Sequence, residues 1–156
     1  MSDFGLGGSN MSEDTLFSGE SKNVEYKVTV PDKSEKYMKT VVAFANGRGG
    51  RIVFGIDDKT LEIVGMDVDN IYKTIDAITN AISDSCEPAI RPDVAMQTVK
   101  DKTVIVVEVF PGAERPYYIK SQGMFEGTYV RVAGTTRHVR RLHAKRADAG
   151  RQEPLL

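Results

Sequence analysis

The chain has 156 residues, 40% of them hydrophobic, and a formal charge of -1, which suits one compact domain with a real core. No apolar run approaches the ~18 residues that cross a bilayer, and the single cysteine, Cys86, excludes an internal disulfide framework. With no signal-peptide pattern, that cysteine usage predicts a reducing, cytoplasmic setting and no membrane partner.

Residues 1–18 are rich in Gly and Ser and are expected to form a flexible leader; 19–137 should fold, and 138–156 should be a basic tail, disordered or the start of a further region. From Val24 to Val30 the sequence alternates, with Glu25, Lys27 and Thr29 on one side and Val24, Tyr26, Val28 and Val30 on the other. That is a half-buried strand. Pro31-Asp32 ends it, and Ser34 is expected to cap a helix to about Asn46 whose core stripe is Tyr37, Val41, Val42, Phe44 and Ala45.

Gly47-Arg48-Gly49-Gly50 then turns the chain into a strand from Arg51 to Ile56 that lacks alternation, as expected for a strand buried on both faces. Asp57-Asp58-Lys59 should be a turn and Leu61 to Gly65 a short returning strand. Asp67 or Asp69 is placed to cap a second helix to about Ser83, with Ile71, Ile75, Ile78 and Ile82 on one face. Val94 to Val99 and Thr103 to Phe110 predict a hairpin, with Val104, Val106 and Glu108 facing one way and Ile105, Val107 and Val109 the other. Tyr117 to Ile119 and Thr128 to Val132 complete the set. Five or six strands and two main helices predict an α+β domain built on a mixed sheet. Cys86 is expected to be a small buried apolar side chain rather than a nucleophile.

Two features bear on chemistry. The glycine turn follows a helix and precedes a strand, the reverse of a P-loop, and it lacks the Lys-Ser/Thr pair, so the pattern argues against an ATPase. Its glycines either cap the helix or offer amides to a phosphate beside Arg48 and Arg51. The second feature is charge: from Ala113 to Leu156 nine Lys or Arg oppose four Asp or Glu. Local basic clusters of this kind attract polyanions over a screening length of about 8 Å.

The segments Glu20-Ser21-Lys22-Asn23-Val24-Glu25-Tyr26-Lys27, Ala43-Phe44-Ala45-Asn46-Gly47-Arg48-Gly49-Gly50, Ile52-Val53-Phe54-Gly55-Ile56-Asp57-Asp58, Gly65 and Tyr129-Val130-Arg131-Val132-Ala133-Gly134-Thr135-Thr136 resemble, in this order, the Schlafen AlbA_2 domain. The resemblance implies a nucleic-acid-binding module, DNA-binding in many bacterial transcriptional regulators, where a helical or winged-helix region usually follows. It also implies an alternative: animal relatives include RNA endonucleases that use three carboxylates and a divalent metal. The corresponding residues here are Glu20, Glu25 and Asp57 or Asp58, hard oxygen donors suited to Mg²⁺ or Mn²⁺. Glu20 and Glu25 are five apart, so both reach one metal only if the chain bends between them.

For a binding module no cofactor is expected. Lys27, Arg48, Arg51, Arg131 and Arg137 are then the candidates to grip DNA or RNA phosphates along one positive surface, with Tyr117, Tyr118 and Tyr129 as candidate stacking groups. Against these stand plainer accounts: Glu25 and Lys27 as an ion pair on a solvated sheet face, Asp57-Asp58 as turn residues, and His138 and His143 as parts of the basic tail. A third class is a protein-protein or oligomerisation module, including a homodimer paired through sheet edges.

Overall fold

The structure is a computed structural model, and it describes residues 23–139. Its centre is a four-stranded mixed sheet. Strand β1 (Val24–Lys27) leads through helix α1 (Glu35–Ala45) into β2 (Gly50–Phe54), which lies parallel to it. Helix α2 (Ile71–Ser85) follows, entered through a 3-10 turn at Val68–Asn70 that Asp67 caps by accepting from the Asp69 amide. The short β3 (Cys86–Glu87) precedes the long hairpin of β4 (Asp93–Val99) and β5 (Lys102–Val109). The sheet order is β1-β2-β5-β4.

Two small ribbons complete the described residues. β6 (Tyr118–Ile119) pairs with β3, and after the five-residue helix α3 (Gly123–Gly127) the strands β7 (Tyr129–Val132) and β8 (Thr135–His138) form a hairpin. Both hairpins turn on two residues of positive φ, Lys100 and Asp101 in one and Ala133 and Gly134 in the other, the conformation whose twist matches the flanking strands. The α+β expectation holds, with the strands divided between a four-stranded mixed sheet and these ribbons.

The period-two pattern sorts the side chains as expected. Ile52, Phe54, Ile105, Val107 and Val109 join the helix-side core with Met38, Val41, Phe44, Ile78 and Ile82, while Val24, Val53, Val104 and Val106 form a second cluster on the other face. β2 is central, and Ile52, Val53 and Phe54 are fully buried.

Local expectations are corrected in four places. β1 stops at Lys27 because β2 swings away there: Gly55 and Ile56 both donate to Lys27 O, and Val28 is left exposed. Leu61 to Gly65 makes only a single bridge, Ile56 with Ile63. Ser34 accepts the first helical bonds through its carbonyl, but its side chain makes no cap. α3 and β8 were not legible as elements, being only five and four residues long.

Candidate nucleic-acid interface

The glycine turn has a structural explanation. Gly47 N and Gly49 N both donate to Phe44 O, at 3.0 and 2.9 Å, closing the C-terminus of α1. Gly49 sits at φ +80°, and a Cβ on Gly50 would fall 2.5 Å from the Phe44 ring and 2.6 Å from Asn23 O. These two glycine amides therefore serve the helix end, not a phosphate. Asn46, beside them, is a clamp: its Nδ2 donates to Tyr117 O and Tyr129 O, both at 2.9 Å, and its Oδ1 accepts from Tyr117 N at 2.6 Å. One side chain thus ties α1 to the start of β6 and to β7.

β1 faces its partners in register, Glu25 with Ile52 and Lys27 with Phe54. Since Ile52 and Phe54 belong to the helix-side core, Glu25 and Lys27 lie on that face too, not on a solvated one. There Glu25 meets the inner side of the β7–β8 hairpin. Arg131 Nη1 donates to Glu25 Oε1 at 2.8 Å and to Thr136 Oγ1 at 2.8 Å, with its guanidinium 5.0 Å from the Phe44 ring centroid. Thr40 Oγ1 donates to Glu25 Oε2 at 3.1 Å, and Lys27 Nζ stands 3.6 Å from the same oxygen. The Thr40 hydroxyl hydrogen is used there, so the 3.2 Å contact between Thr40 and Thr136 is donated by Thr136. Glu25, Arg131, Thr136 and Thr40 form a closed ring that pins the hairpin against α1 and β1.

The predicted cations do not share one face. Arg131 is turned inward, its side chain 10% exposed. Arg137 pairs with Val130 on the outer side of the hairpin and is exposed. Arg51 registers with Val24 and Glu108, which puts it on the far face of the sheet, where its Nε is buried without a hydrogen-bond partner. Its charge opposes the rise that burial imposes on the Tyr26 phenol. Arg48 is exposed at the C-terminal end of α1. Strand alternation separates Arg51 from Lys27, and hairpin alternation separates Arg131 from Arg137.

The acidic candidates are also apart. Glu20 and His143 lie outside the described residues. Asp57 Oδ1 accepts from Lys59 N and Thr60 N at 2.8 and 2.9 Å, and these backbone donors, Thr60 first, hold its carboxyl below the usual range. That is the turn role. Asp58 is exposed. Among the described residues no three His, Cys, Asp or Glu gather where they could hold a metal ion. Both oxygens of Glu25 already carry partners, so a cation there would have to displace Arg131, Thr40 or Lys27.

The aromatic candidates are likewise committed. Tyr117 is buried and its hydroxyl accepts from Glu114 N; Tyr118 is half-buried in β6; the Tyr129 ring packs edge-on against His138, centroids 5.1 Å apart. His138 belongs to β8, and its Nε2 donates to Glu126 O at 2.6 Å. Cys86 is buried, which pushes its thiol up to about 12 despite the nearby Lys120.

Sequence reasoning missed the lysines in and just before α1. Lys33, Lys36 and Lys39 are all exposed, and Lys36 lies one turn from Thr40 on the same side of the helix. Lys36 is thereby linked to Lys27 through Thr40 and Glu25. The three-residue spacing of Lys33, Lys36 and Lys39 was the available signal. Between 33 and 51 five Lys or Arg face Glu35 alone, whereas between 57 and 87 eight Asp or Glu face only Lys59 and Lys73.

A mixed sheet covered by α1 and α2, with a ribbon pinned at one edge by a half-buried ion pair, defines a small α+β module. Residues 20–140 match the Schlafen, AlbA_2 family, and the chain belongs to it. An uncharacterized ATP-binding protein, UU034, of Ureaplasma parvum is 31% identical over 97 residues, 60% of this chain and 27% of its own. Among solved structures, the N-terminal domain of a RecG-related ATP-dependent DNA helicase-type protein from Nitrosomonas europaea matches with TM-score 0.56 and 30% identity over 77% of this chain and 84% of that one. The DIP2311 protein of Corynebacterium diphtheriae matches with TM-score 0.57 and 27% identity over 78% of this chain and 23% of that one. The chain spans about a quarter of the length of the Ureaplasma and Corynebacterium proteins. No helix among the described residues is long and apolar enough to cross a membrane.

Proposed function

We propose that this chain is a nucleic-acid-binding module that grips the phosphate backbone, with DNA as its ligand and a transcriptional regulator as its setting. The observation that carries the proposal is the segregation of charge: cations concentrate on α1, β1 and the hairpin, and carboxylates on the α2 side. The family and the helicase-related neighbour support it. In this reading Lys27, Lys33, Lys36, Lys39 and Arg137 contact phosphates, and Arg131 is a positioning residue that holds the hairpin through Glu25. Contacts of this type fix a duplex in place without reading its bases. The ATP-binding name of the Ureaplasma relative is not carried over, because the glycine amides here donate to Phe44 O.

The test is duplex binding by fluorescence anisotropy over a salt series. Each phosphate contact contributes about 0.9 to the slope of log K against log salt, so replacing Lys33, Lys36 and Lys39 with Ala should flatten the slope by about 2 to 3. A slope that does not change removes α1 from the interface. RNA cleavage that required added Mg²⁺ and disappeared in Glu25→Ala would overturn a purely binding role.

A further inference from the structure

The stretch from Leu61 to Tyr72 exposes apolar side chains out of proportion to its length. Leu61 is 43% exposed, Val64 46%, Val68 57% and Tyr72 67%. Val68 lies in the 3-10 turn that runs into α2, and Tyr72 in the first turn of the helix. Leu61 is held against its backbone preference, at φ 61°, in the left-handed region that a bulky side chain rarely adopts.

The surrounding loop enforces that conformation. Leu61 N donates to Asp57 O, Asp57 N to Glu62 O, and Glu62 N to Thr60 Oγ1, while Val64 N and Gly65 N both donate to Gly55 O. A tied loop that keeps a leucine in water is a pre-organised anchor, because its ordering cost falls before a partner arrives. Carboxylates outnumber cations along this stretch: Asp58, Glu62, Asp67, Asp69 and Asp76 are all exposed, against Lys59, Lys73 and Lys102, whose stem lies by Gly65. A partner for this patch must bring positive charge together with apolar contacts.

The chain itself presents such a surface. Lys33, Lys36 and Lys39 supply exposed positive charge, and Val28 and Val132 supply exposed apolar groups, Val132 on the outer side of the hairpin with the exposed Arg137. We infer that the acidic apolar patch docks the cationic flank of a second copy of this chain, head to tail. Two different surfaces meet in this contact, so it extends into open chains instead of closing at a dimer. One consequence rests on the nucleic-acid reading: DNA and a second copy compete for the same lysines.

Sedimentation equilibrium at about 0.05 M and about 0.5 M salt, where screening lengths differ about threefold, is the test. At low salt the average mass should climb past twice 17.2 kDa without a plateau, and at high salt it should return to the monomer. Glu62→Lys with Asp76→Lys, and separately Lys36→Glu with Lys39→Glu, should each abolish assembly, and mixing the two variants should restore it. Leu61→Gly relieves the left-handed backbone while removing the anchor, so assembly should weaken tenfold or more with the unfolding midpoint unchanged or raised. A monomer at every concentration in low salt overturns the inference, and so does assembly that ignores both charge reversals. Saturating duplex DNA should dissolve the assembly; self-association without any DNA binding would sink the nucleic-acid reading and leave this one standing.

Discussion

α1 and α2 pack side by side on the same face of one sheet, and their inner sides read alike: Met38, Val41 and Phe44 from one, Ile71, Ile78 and Ile82 from the other. Their outer sides diverge. α1 carries lysines and is overlaid by the β7–β8 hairpin, whereas α2 and the loop before it carry carboxylates and exposed apolar groups. Burial sets the inner faces, since any helix on this sheet must present an apolar stripe. Water tolerates either charge outside, so the difference between the outer faces is free to serve recognition.

The sharpest way to break this contrast is charge reversal. Lys33→Glu, Lys36→Glu and Lys39→Glu together should lower duplex affinity by about 100-fold or more at moderate salt, while Glu62→Lys with Asp76→Lys should leave it equal or higher. A gain from the Glu62 and Asp76 reversals that mirrors the lysine loss charge for charge would show that only net charge matters, and a loss from them as large as the lysine loss would remove the assignment of binding to the lysine flank.

Next in size is the clamp. Asn46→Ala strips three hydrogen bonds and leaves Tyr117 N and two carbonyls unsatisfied, which should cost about 2–4 kcal/mol in denaturant unfolding. Arg131→Ala, which leaves Glu25 without its closest cation, should cost about 1–3 kcal/mol, and it should weaken DNA binding more than its single charge accounts for if the hairpin's position matters. Binding that falls only in step with one lost charge would remove Arg131 from the positioning role.

At neutral pH no loss is expected from the last group, on the α2 side, whose effect grows only with alkali. Burial raises the Cys86 thiol to about 12, so the folded chain holds this proton more tightly than the unfolded one. That stabilisation is complete below about pH 8.5 and is lost as pH rises toward 12, by at most about 1.4 kcal/mol per unit. Tyr26 and Tyr37, both raised by burial, add to the same loss near the upper end. Denaturant midpoints from pH 7.5 to 10.5 should fall in the wild type and fall less in Cys86→Ala. Asp57, held low by backbone donors, acts in the opposite sense: its contribution is present above about pH 4 and disappears as the pH falls further.

Much of the architecture was legible because it follows from local periodicity. Alternation assigned Val104 and Val106 to one face and Ile105, Val107 and Val109 to the other, and the unbroken apolar run from Ile52 to Phe54 marked the central strand. The candidate site was legible only in part. Glu25, Lys27 and Arg131 were named, as members of a metal site or a phosphate row and, for Glu25 and Lys27, as an ion pair on a solvated face, a pair the structure holds on the helix side; that Glu25 and Arg131 meet, 106 residues apart in sequence, needs the fold. Lys33, Lys36 and Lys39 were overlooked because attention to a helix's apolar stripe hides what its other side offers.

Sequence alone determined the α+β class, the family, the buried cysteine and the reversed order of helix and glycine turn, because each depends on neighbours along the chain. Tertiary structure alone decided that Arg51 and Arg131 lie on different faces, that the glycine amides end a helix, and that charge divides between two flanks. Those facts depend on register and packing, where a shift of one residue in a strand moves a side chain to the opposite side of the sheet.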